Sequence, residues 1–266
     1  MLAYIDWNVA PQIFHLGSWE VRWYGLLFAS SFFFGYILMA KFFKMAKLPE
    51  NTLDRLATYM LIGTVVGARL GHIFFYEPDY YFAHPIKMLY IWEGGLASHG
   101  AAIGILIALG IFAYYEKLNY FWVTDRIAIV VALAGFFIRM GNLMNSEIFG
   151  HVTTLPWGFK FYRAFPAGTE VLPHHPTQIY EGLSYLLLFV YLIWYFYKKQ
   201  GKPAVAYLTG IWMIVTWGAR FLIEFIKENQ VDFEANMTLN MGQWLSIPLI
   251  ILGFYLVYYS KKQRAK

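Results

Sequence analysis

Long apolar stretches separated by short polar segments dominate the pattern along the chain. A helix that crosses about 30 Å of hydrocarbon needs about 20 mostly apolar residues, and its backbone polar groups must pair within the segment. These stretches therefore predict an all-α polytopic membrane protein. Seven qualify as transmembrane helices, namely 21–45, 55–76, 94–115, 122–144, 178–197, 204–226 and 242–260.

Basic residues between the predicted helices indicate the direction in which the chain crosses the membrane. Loops rich in lysine and arginine favour the cytoplasmic side. We therefore expect the N-terminus outside and the C-terminus in the cytoplasm. The clusters that support this orientation follow the first, third, fifth and seventh helices and comprise Lys41, Lys44 and Lys47; Lys117; Lys198, Lys199 and Lys202; and Lys261, Lys262, Arg264 and Lys266.

The loops 77–93, 145–177 and 227–241 then face outwards. The second of these contains four prolines among polar and aromatic residues, a composition that predicts a small folded structure and not a linker. No repeat or domain boundary is visible. We expect residues 1–266 to form a single membrane domain, with 145–177 as a periplasmic cap and the outer loops as a small head.

Composition agrees with a membrane protein and excludes several other classes. Of the 266 residues, 59% are hydrophobic and 14% are charged, so a soluble fold would expose large apolar patches. The net charge of +5 lies in short clusters beside apolar stretches, which argues against nucleic-acid binding. The absence of cysteine excludes disulfides and a cysteine nucleophile. A cleaved signal peptide begins with basic residues, whereas this chain carries Asp6 and Glu20 before its first apolar stretch. The first helix should therefore remain in the membrane.

Ionisable residues inside the predicted helices are the candidates for function. Arg69, His99, Arg139 and Arg220 lie within apolar stretches, and Glu224 follows Arg220 by four positions. A charge near the bilayer centre costs at least about 2.5–3.5 kcal/mol, so it normally faces a cavity or a partner. In the predicted topology these basic groups lie at similar depth in the outer half of the membrane. We expect them to converge on one pocket.

Polar neighbours extend this predicted pocket. Asn142 follows Arg139 by three positions and therefore shares its helix face, and Asn145 and Glu147 come at the outer end of the same helix. Guanidinium groups bind phosphate through two parallel hydrogen bonds. The excess of arginine over carboxylate predicts an anionic ligand, and a phospholipid headgroup is the abundant anion at this depth.

Each candidate also has a simpler interpretation. Arg69, Arg139 and Arg220 could extend to the membrane interface, Glu224 could merely neutralise Arg220, and His99 could be a hydrogen-bonded packing residue. Both readings remain open at this point.

Two further motifs have structural explanations. The glycines of GTVVGARLG and HGAAIG are spaced four apart, which predicts close packing of two helices. His174 and His175 are adjacent and therefore point apart, so we predict no metal site there.

Seven blocks, read in order, resemble the signature motifs of the prolipoprotein diacylglyceryl transferase family. They lie between residues 22 and 246, and RMGNLMNSEIFG and HPTQIYEG are the most specific of them. The other blocks are RWYGLLFAS, GARLGHIFFY, WEGGLASHGAAIG, RFLIEF and MGQWLS. The resemblance implies seven helices, an outside N-terminus and a periplasmic head in the bacterial inner membrane.

The resemblance also implies a reaction that needs no metal or soluble cofactor. Family members transfer the diacylglyceryl group of phosphatidylglycerol to the lipobox cysteine of a preprolipoprotein, which forms a thioether and releases glycerol phosphate. This is the first step of lipoprotein maturation. The positions that match residues important in the family are His99, Arg139, Asn142, Glu147, Gly150, Arg220 and Glu224, with Arg69 and Tyr76 in the block of the second helix.

Two departures from the family pattern lie near the sixth helix. Family members often carry Tyr-Gly where this chain has Thr216 and Trp217. After RFLIEF the chain continues IKENQVDFE, where many relatives carry Arg and Pro-Asp. The first change removes a tyrosine, and the second predicts an outer loop of different shape.

The expected roles follow from the chemistry of the transfer. Fixed cations would stabilise charge on the leaving phosphate. His99 could take the proton of the incoming thiol, or the arginines could lower the thiol pKa while His99 positions the lipid. We expect catalytic roles for His99, Arg139, Arg220 and Glu224, and substrate-binding roles for Arg69, Tyr76, Asn142, Asn145, Glu147 and Gly150.

Two other functions would also use a cluster of arginines. A membrane carrier or flippase could bind an anionic phospholipid, although a transporter should show related halves and none are visible. An enzyme could instead transfer the headgroup of the same lipid, although metal-binding carboxylate clusters would then be expected.

Overall fold

The computed structural model describes residues 4–17, 19–228 and 237–264. Within these residues, seven helices are long and apolar enough to cross a membrane, and they coincide with the predicted stretches. The all-α polytopic fold is therefore confirmed. The helices are α1 (Trp23–Met45), α2 (Thr52–Phe75), α4 (Ser98–Tyr115), α5 (Tyr120–Met144), α6 (Thr177–Lys198), α7 (Tyr207–Ile223) and α8 (Met241–Arg264), with the short α3 (Pro78–Ala83) after α2.

Helices α1, α4 and α7 begin two to four residues later than the hydrophobic pattern predicts, and backbone conformation explains the two larger differences, those of α4 and α7. Gly94 and Gly95 have φ values of 90° and 71°, which are not helical, so α4 begins only at Ser98. Ala206 adopts the left-handed conformation immediately before α7. At its other end α7 continues as a 3-10 turn over Glu224–Ile226.

Four short strands were not predicted. Strands β2 (Gln12–Leu16) and β3 (Trp19–Arg22) pair in an antiparallel hairpin, whereas β1 (Ile5–Trp7) pairs in parallel with β4 (Phe159–Phe161). Segments of three to five residues are too short to show a clear alternation of apolar and polar positions. The pattern therefore detects the helices and misses these strands.

The chain divides into two compact units, one made of Met1–Met39 and Asp125–Lys266, the other of Ala40–Thr124. Glycines allow α2 and α4 to pack closely in the second unit. A Cβ atom added at Gly71 would lie 2.6 Å from the Cα of Gly100, and one added at Gly67 would lie 2.7 Å from the Cα of Gly104. The predicted packing role of these glycines is confirmed.

In the first unit, residues 145–177 form a folded segment, hereafter the cap. Its aromatic core contains Phe159 and Phe161 and includes Leu143 from the last turn of α5. The Trp7 indole N–H donates a hydrogen bond to the Leu143 carbonyl at 3.0 Å, which ties β1 to the same core. The cap therefore packs on the C-terminal end of α5, and we call this end of the unit the cap end.

A buried carboxylate on α5 fixes the start of α7. Asp125 accepts hydrogen bonds from the backbone N–H groups of Ala206 and Thr209, at 2.9 and 2.8 Å, and from the Thr209 hydroxyl at 2.8 Å. These donors are among the groups that a helix N-terminus leaves unpaired. The next residue, Arg126, donates to the carbonyl of Gly201 at 2.8 Å. Both residues therefore hold in place the helix that carries Arg220.

Candidate active site

Six charged side chains meet at the cap end of the first unit. Buried ion pairs connect four of them: Arg139 Nε contacts Glu181 Oε2, and Lys227 Nζ lies 3.6 Å from Glu181 Oε1 and 3.7 Å from Glu224 Oε2. The charge of Arg220 acts on Lys227 at short range. We call this set the charged cluster, and it comprises Arg139, Glu147, Glu181, Arg220, Glu224 and Lys227.

A row of hydrogen bonds extends the charged cluster along α5 towards the cap. The Arg139 guanidinium donates to Asn142 Oδ1 at 3.3 Å, and the Asn142 amide donates to Glu147 Oε1 at 2.8 Å. The Asn145 amide donates to the same carboxylate oxygen at 3.2 Å. The predicted proximity of Arg139 and Asn142 is confirmed, and the two asparagines hold Glu147 beside them.

Gly150 contributes through its backbone. Its N–H donates to the His175 carbonyl at 2.9 Å, and the residue forms an isolated antiparallel bridge with Lys227. A Cβ atom at Gly150 would clash with the carbonyl oxygen of Ile226 and lie 2.8 Å from Thr177 Cγ2. A side chain at this position would therefore push the segment that carries Lys227 away from the charged cluster.

Arg220 and Glu224 have different partners from those that their spacing indicates. Among the residues that the structure describes, no ion pair joins them, and Glu224 pairs with Lys227 instead. Glu224 begins the 3-10 turn, whose tighter winding changes the direction of the side chain. The Arg220 guanidinium carbon lies 5.9 Å from the ring centre of Trp217, and its Nε is buried without a hydrogen-bond partner in the described part of the chain.

The charges of the cluster are balanced, which differs from the expected excess of arginine. Two arginines and Lys227 supply three positive charges, and three glutamates supply three negative charges. The expected excess counted Arg69 and His99, which belong to the second unit, and it omitted Glu181 and Lys227. Glu181 left a signal in the sequence, since it is a charged residue inside the predicted helix 178–197, whereas Lys227 directly follows 204–226, where a basic residue is common.

Arg69 lies in the second unit and is buried, with its guanidinium satisfied by backbone. It donates to the carbonyl oxygens of Lys87 at 2.5 Å, Met88 at 2.9 Å, Gly94 at 2.6 Å and Gly95 at 3.2 Å. These four bonds hold the loop that leads into α4, so Arg69 does not merely extend to an interface. Its predicted contact with lipid stays a prediction.

His99 and Tyr76 form a pair at the same end of α2 and α4. His99 Nε2 lies 3.1 Å from the Tyr76 hydroxyl, and the imidazole tautomer decides which group donates. Tyr76 also stacks on His72, with ring centres 5.4 Å apart. Both members of the pair are exposed on the protein. His99 is thus hydrogen-bonded and still accessible to a ligand, which a purely packing residue would not be.

The predicted site residues fall into two groups, one in each unit. The first unit brings together Arg139, Arg220 and Glu224, and the second holds Arg69 and His99 at one end of its helix pair. A single pocket shared by both groups stays a prediction.

The histidines of the cap make hydrogen bonds of their own. His174 Nδ1 lies 2.8 Å from the Gly150 carbonyl oxygen and 3.3 Å from Glu228 Oε1, and His175 Nδ1 lies 3.3 Å from the Tyr180 hydroxyl. Burial lowers the pKa of His175, and the neighbouring histidines lower it further. Among the residues that the structure describes, no group of three or more His, Cys, Asp or Glu side chains suits a metal ion.

Fold and site together define a multi-pass membrane protein in which buried ionisable groups meet at the ends of several helices. Residues 11–259 match the sequence profile of the prolipoprotein diacylglyceryl transferase family. The chain is 46% identical to a phosphatidylglycerol–prolipoprotein diacylglyceryl transferase of Tolumonas auensis, over 98% of this chain and 99% of that relative. Relatives of the same name from Chloroherpeton thalassium and Bacteroides fragilis are 44% and 40% identical over 96% and 99% of their lengths. The chain therefore belongs to the prolipoprotein diacylglyceryl transferase family, as its motifs predict.

Proposed function

We propose that this protein transfers the diacylglyceryl group of phosphatidylglycerol to the lipobox cysteine thiol of preprolipoproteins. The observation that carries the proposal is the match over 98% of the chain to a relative named for this reaction. We also propose that the whole chain acts as one membrane domain in the bacterial inner membrane. Its N-terminus would lie outside, its C-terminus in the cytoplasm, and the cap in the periplasm.

The chemistry of this transfer sets two requirements for the site. A thiolate sulfur attacks the glycerol CH2 carbon that carries the phosphate ester, so a C–S bond forms while the C–O bond breaks. The electron pair of the broken bond goes to the phosphate oxygen, and glycerol phosphate leaves as an anion. The site must therefore offer cationic donors to the phosphate, and the thiol proton must pass to a base.

Arg139 and Arg220 are suited to the first requirement. Preorganised donors aimed at developing charge supply much of the rate enhancement in such sites. Arg220 Nε is a buried donor that lacks a partner in the described part of the chain, and a phosphate oxygen would satisfy it. Arg139 donates a hydrogen bond to Asn142, and Asn142 donates one to Glu147, which fixes the orientation of Asn142. The Arg220 donor can therefore meet the phosphate with little reorganisation, and Asn142 orients Arg139.

His99 is suited to the second requirement. Its imidazole is exposed, and the hydrogen bond between Nε2 and the Tyr76 hydroxyl fixes the orientation of the ring. Arg69 shapes the adjoining loop through its four carbonyl contacts. We propose that His99 accepts the thiol proton and that Tyr76 and Arg69 position the lipid beside it.

A transfer assay tests this proposal. Purified protein in detergent micelles is incubated with phosphatidylglycerol labelled in its acyl chains and with a lipobox peptide. We expect the label on the cysteine peptide, and none on a matched peptide in which serine replaces that cysteine, because the nucleophile is a thiolate. Failure to label the cysteine peptide would contradict the proposal. Equal labelling of both peptides would contradict the thiolate mechanism.

A further inference from the structure

Arg139 already has an anionic partner before any ligand binds. Its guanidinium forms an ion pair with Glu181, whose side chain is only 1% exposed. A lipid phosphate that binds Arg139 must compete with this carboxylate. If the phosphate wins, Glu181 is left as a buried negative charge without its arginine, and such an uncompensated charge is strongly unfavourable. Efficient use of Arg139 therefore requires a second cation for Glu181.

Lys227 is placed to supply that cation. Its ammonium lies 3.6 Å from the Glu181 oxygen that does not face Arg139, and the residue is only 3% exposed. A second contact, 3.7 Å to Glu224, holds the ammonium in the absence of ligand. Burial lowers the pKa of Lys227, and the two carboxylates act in the opposite direction, so they favour the charged form.

The backbone shows that Lys227 is built into the charged cluster. The residue forms an antiparallel bridge with Gly150, and the preceding carbonyl, that of Ile226, accepts a hydrogen bond from His151 N–H at 2.9 Å. Glu181 Oε1 and Glu224 Oε2, the two oxygens near Lys227, have no hydrogen-bond partner in the described residues. The ammonium thus lies 3.6 and 3.7 Å from the two carboxylates without a hydrogen bond to either, so a small movement towards one of them would shorten that contact.

We propose that Lys227 is a positioning residue for the transfer reaction. When Arg139 turns to the lipid phosphate, the ammonium shifts from Glu224 towards Glu181 and compensates the carboxylate that the arginine has left. Lys227 therefore acts through Glu181 and need not touch the lipid. This inference rests on the proposed transfer from phosphatidylglycerol.

Three variants test the role of Lys227 in the transfer assay, with kcat and the KM for each substrate measured separately. We expect Lys227→Met to lower kcat/KM for phosphatidylglycerol by roughly ten- to a hundredfold, the range for loss of a supporting charge or a small misplacement. The KM for the peptide should not change. Lys227→Arg should keep most of the activity because it keeps the charge. Glu181→Gln combined with Lys227→Met should recover most of the loss, because position 181 then carries no charge that needs compensation when Arg139 binds the phosphate.

Control measurements separate this role from a purely structural one. Lys202→Met, at an exposed lysine outside the charged cluster, should behave like the wild type. Melting temperatures in micelles identify variants that have lost their fold. If Lys227→Met does not fold, the double variant alone tests the role of Lys227, and we expect it to transfer the diacylglyceryl group to the peptide.

Two results would overturn the inference while the proposed function stands. One is wild-type kinetics in Lys227→Met. The other is a folded double variant that is at least as impaired as Lys227→Met. If the wild-type protein itself transfers nothing, the proposed function fails instead.

Discussion

Arg139 and Arg220 carry planar guanidinium groups, and lysine at either position would keep the charge but lose the paired donors. We expect Arg139→Lys and Arg220→Lys each to lower kcat by about 10²–10³-fold, as for the loss of one donor to developing charge. The matched control is Arg163→Lys, at an exposed arginine of the cap. Transfer to the lipobox peptide measures the effect. Near wild-type turnover in folded Arg139→Lys and Arg220→Lys would show that charge alone is sufficient.

The role of His99 as a base predicts a change in pH dependence. His99→Asn should lose activity at neutral pH, by about 10²–10⁴-fold for a general base. Activity should recover partly as the pH rises towards about 8.5, the ordinary pKa of a thiol, because solvent then supplies thiolate. Rates of transfer between pH 6 and 9 give the profile. A mutant profile parallel to that of the wild type would show that His99 only positions the lipid.

Single residues in the charged cluster differ in how well the sequence predicts them. Arg139 and Arg220 stand out because a charge in an apolar stretch has few structural uses. Lys227 does not, because it follows a predicted helix, where a basic residue is common. Its burial depends on the bridge with Gly150, a long-range backbone contact that no local pattern reveals.

At the scale of elements, the packing of α2 against α4 determines where His99 lies. Gly104→Ala would place a methyl group 2.8 Å from the Cα of Gly67, whereas Gly110→Ala on the same helix makes an ordinary contact 3.8 Å from Tyr120. Both changes raise helix propensity equally. We therefore expect Gly104→Ala alone to be destabilising, by about 1–3 kcal/mol or more for overpacking.

Thermal melting in detergent micelles, followed by the loss of helical circular dichroism, compares these two glycine variants. Gly104→Ala should melt below Gly110→Ala and should also transfer more slowly, since α4 carries His99. Equal melting temperatures would contradict the close packing of α2 and α4.

Elements also differ in how far the sequence predicts them. Hydrophobic stretches identify the spanning helices because a helix in lipid must bury about 20 residues of backbone in apolar surroundings. The start of α4 was predicted too early because Gly94 and Gly95 are apolar but not helical. The pairing of β1 with β4 joins distant parts of the chain, and neither strand is long enough to be visible alone. The predicted change in the third outer loop falls largely outside the described residues, which omit 229–236.

For the whole molecule, the predicted orientation depends on which side of the membrane holds the basic clusters. The natural chain has no cysteine, so single introduced cysteines react without background. Thr169 in the cap and Lys262 near the C-terminus are both exposed, whereas Ser260 is only 1% exposed and would be protected on either side.

We expect Thr169→Cys to react with an impermeant maleimide in intact cells and Lys262→Cys to react only after the membrane is opened. Because both sites are exposed, the side of the membrane on which each one lies decides whether it reacts. The opposite labelling pattern would contradict an outside N-terminus and a cytoplasmic C-terminus.

The fate of the two halves of the lipid tests the central claim most directly. Phosphatidylglycerol is labelled with one isotope in the acyl chains and another in the headgroup glycerol, and is incubated with the protein and a lipobox peptide. We predict that the acyl label joins the peptide cysteine through a bond that survives ester hydrolysis, while an equal amount of headgroup label appears as glycerol phosphate. Headgroup label on the acceptor would indicate headgroup transfer instead. Two labels that remain in one lipid molecule would contradict a transferase. If that intact molecule has crossed the membrane, the result would indicate a carrier.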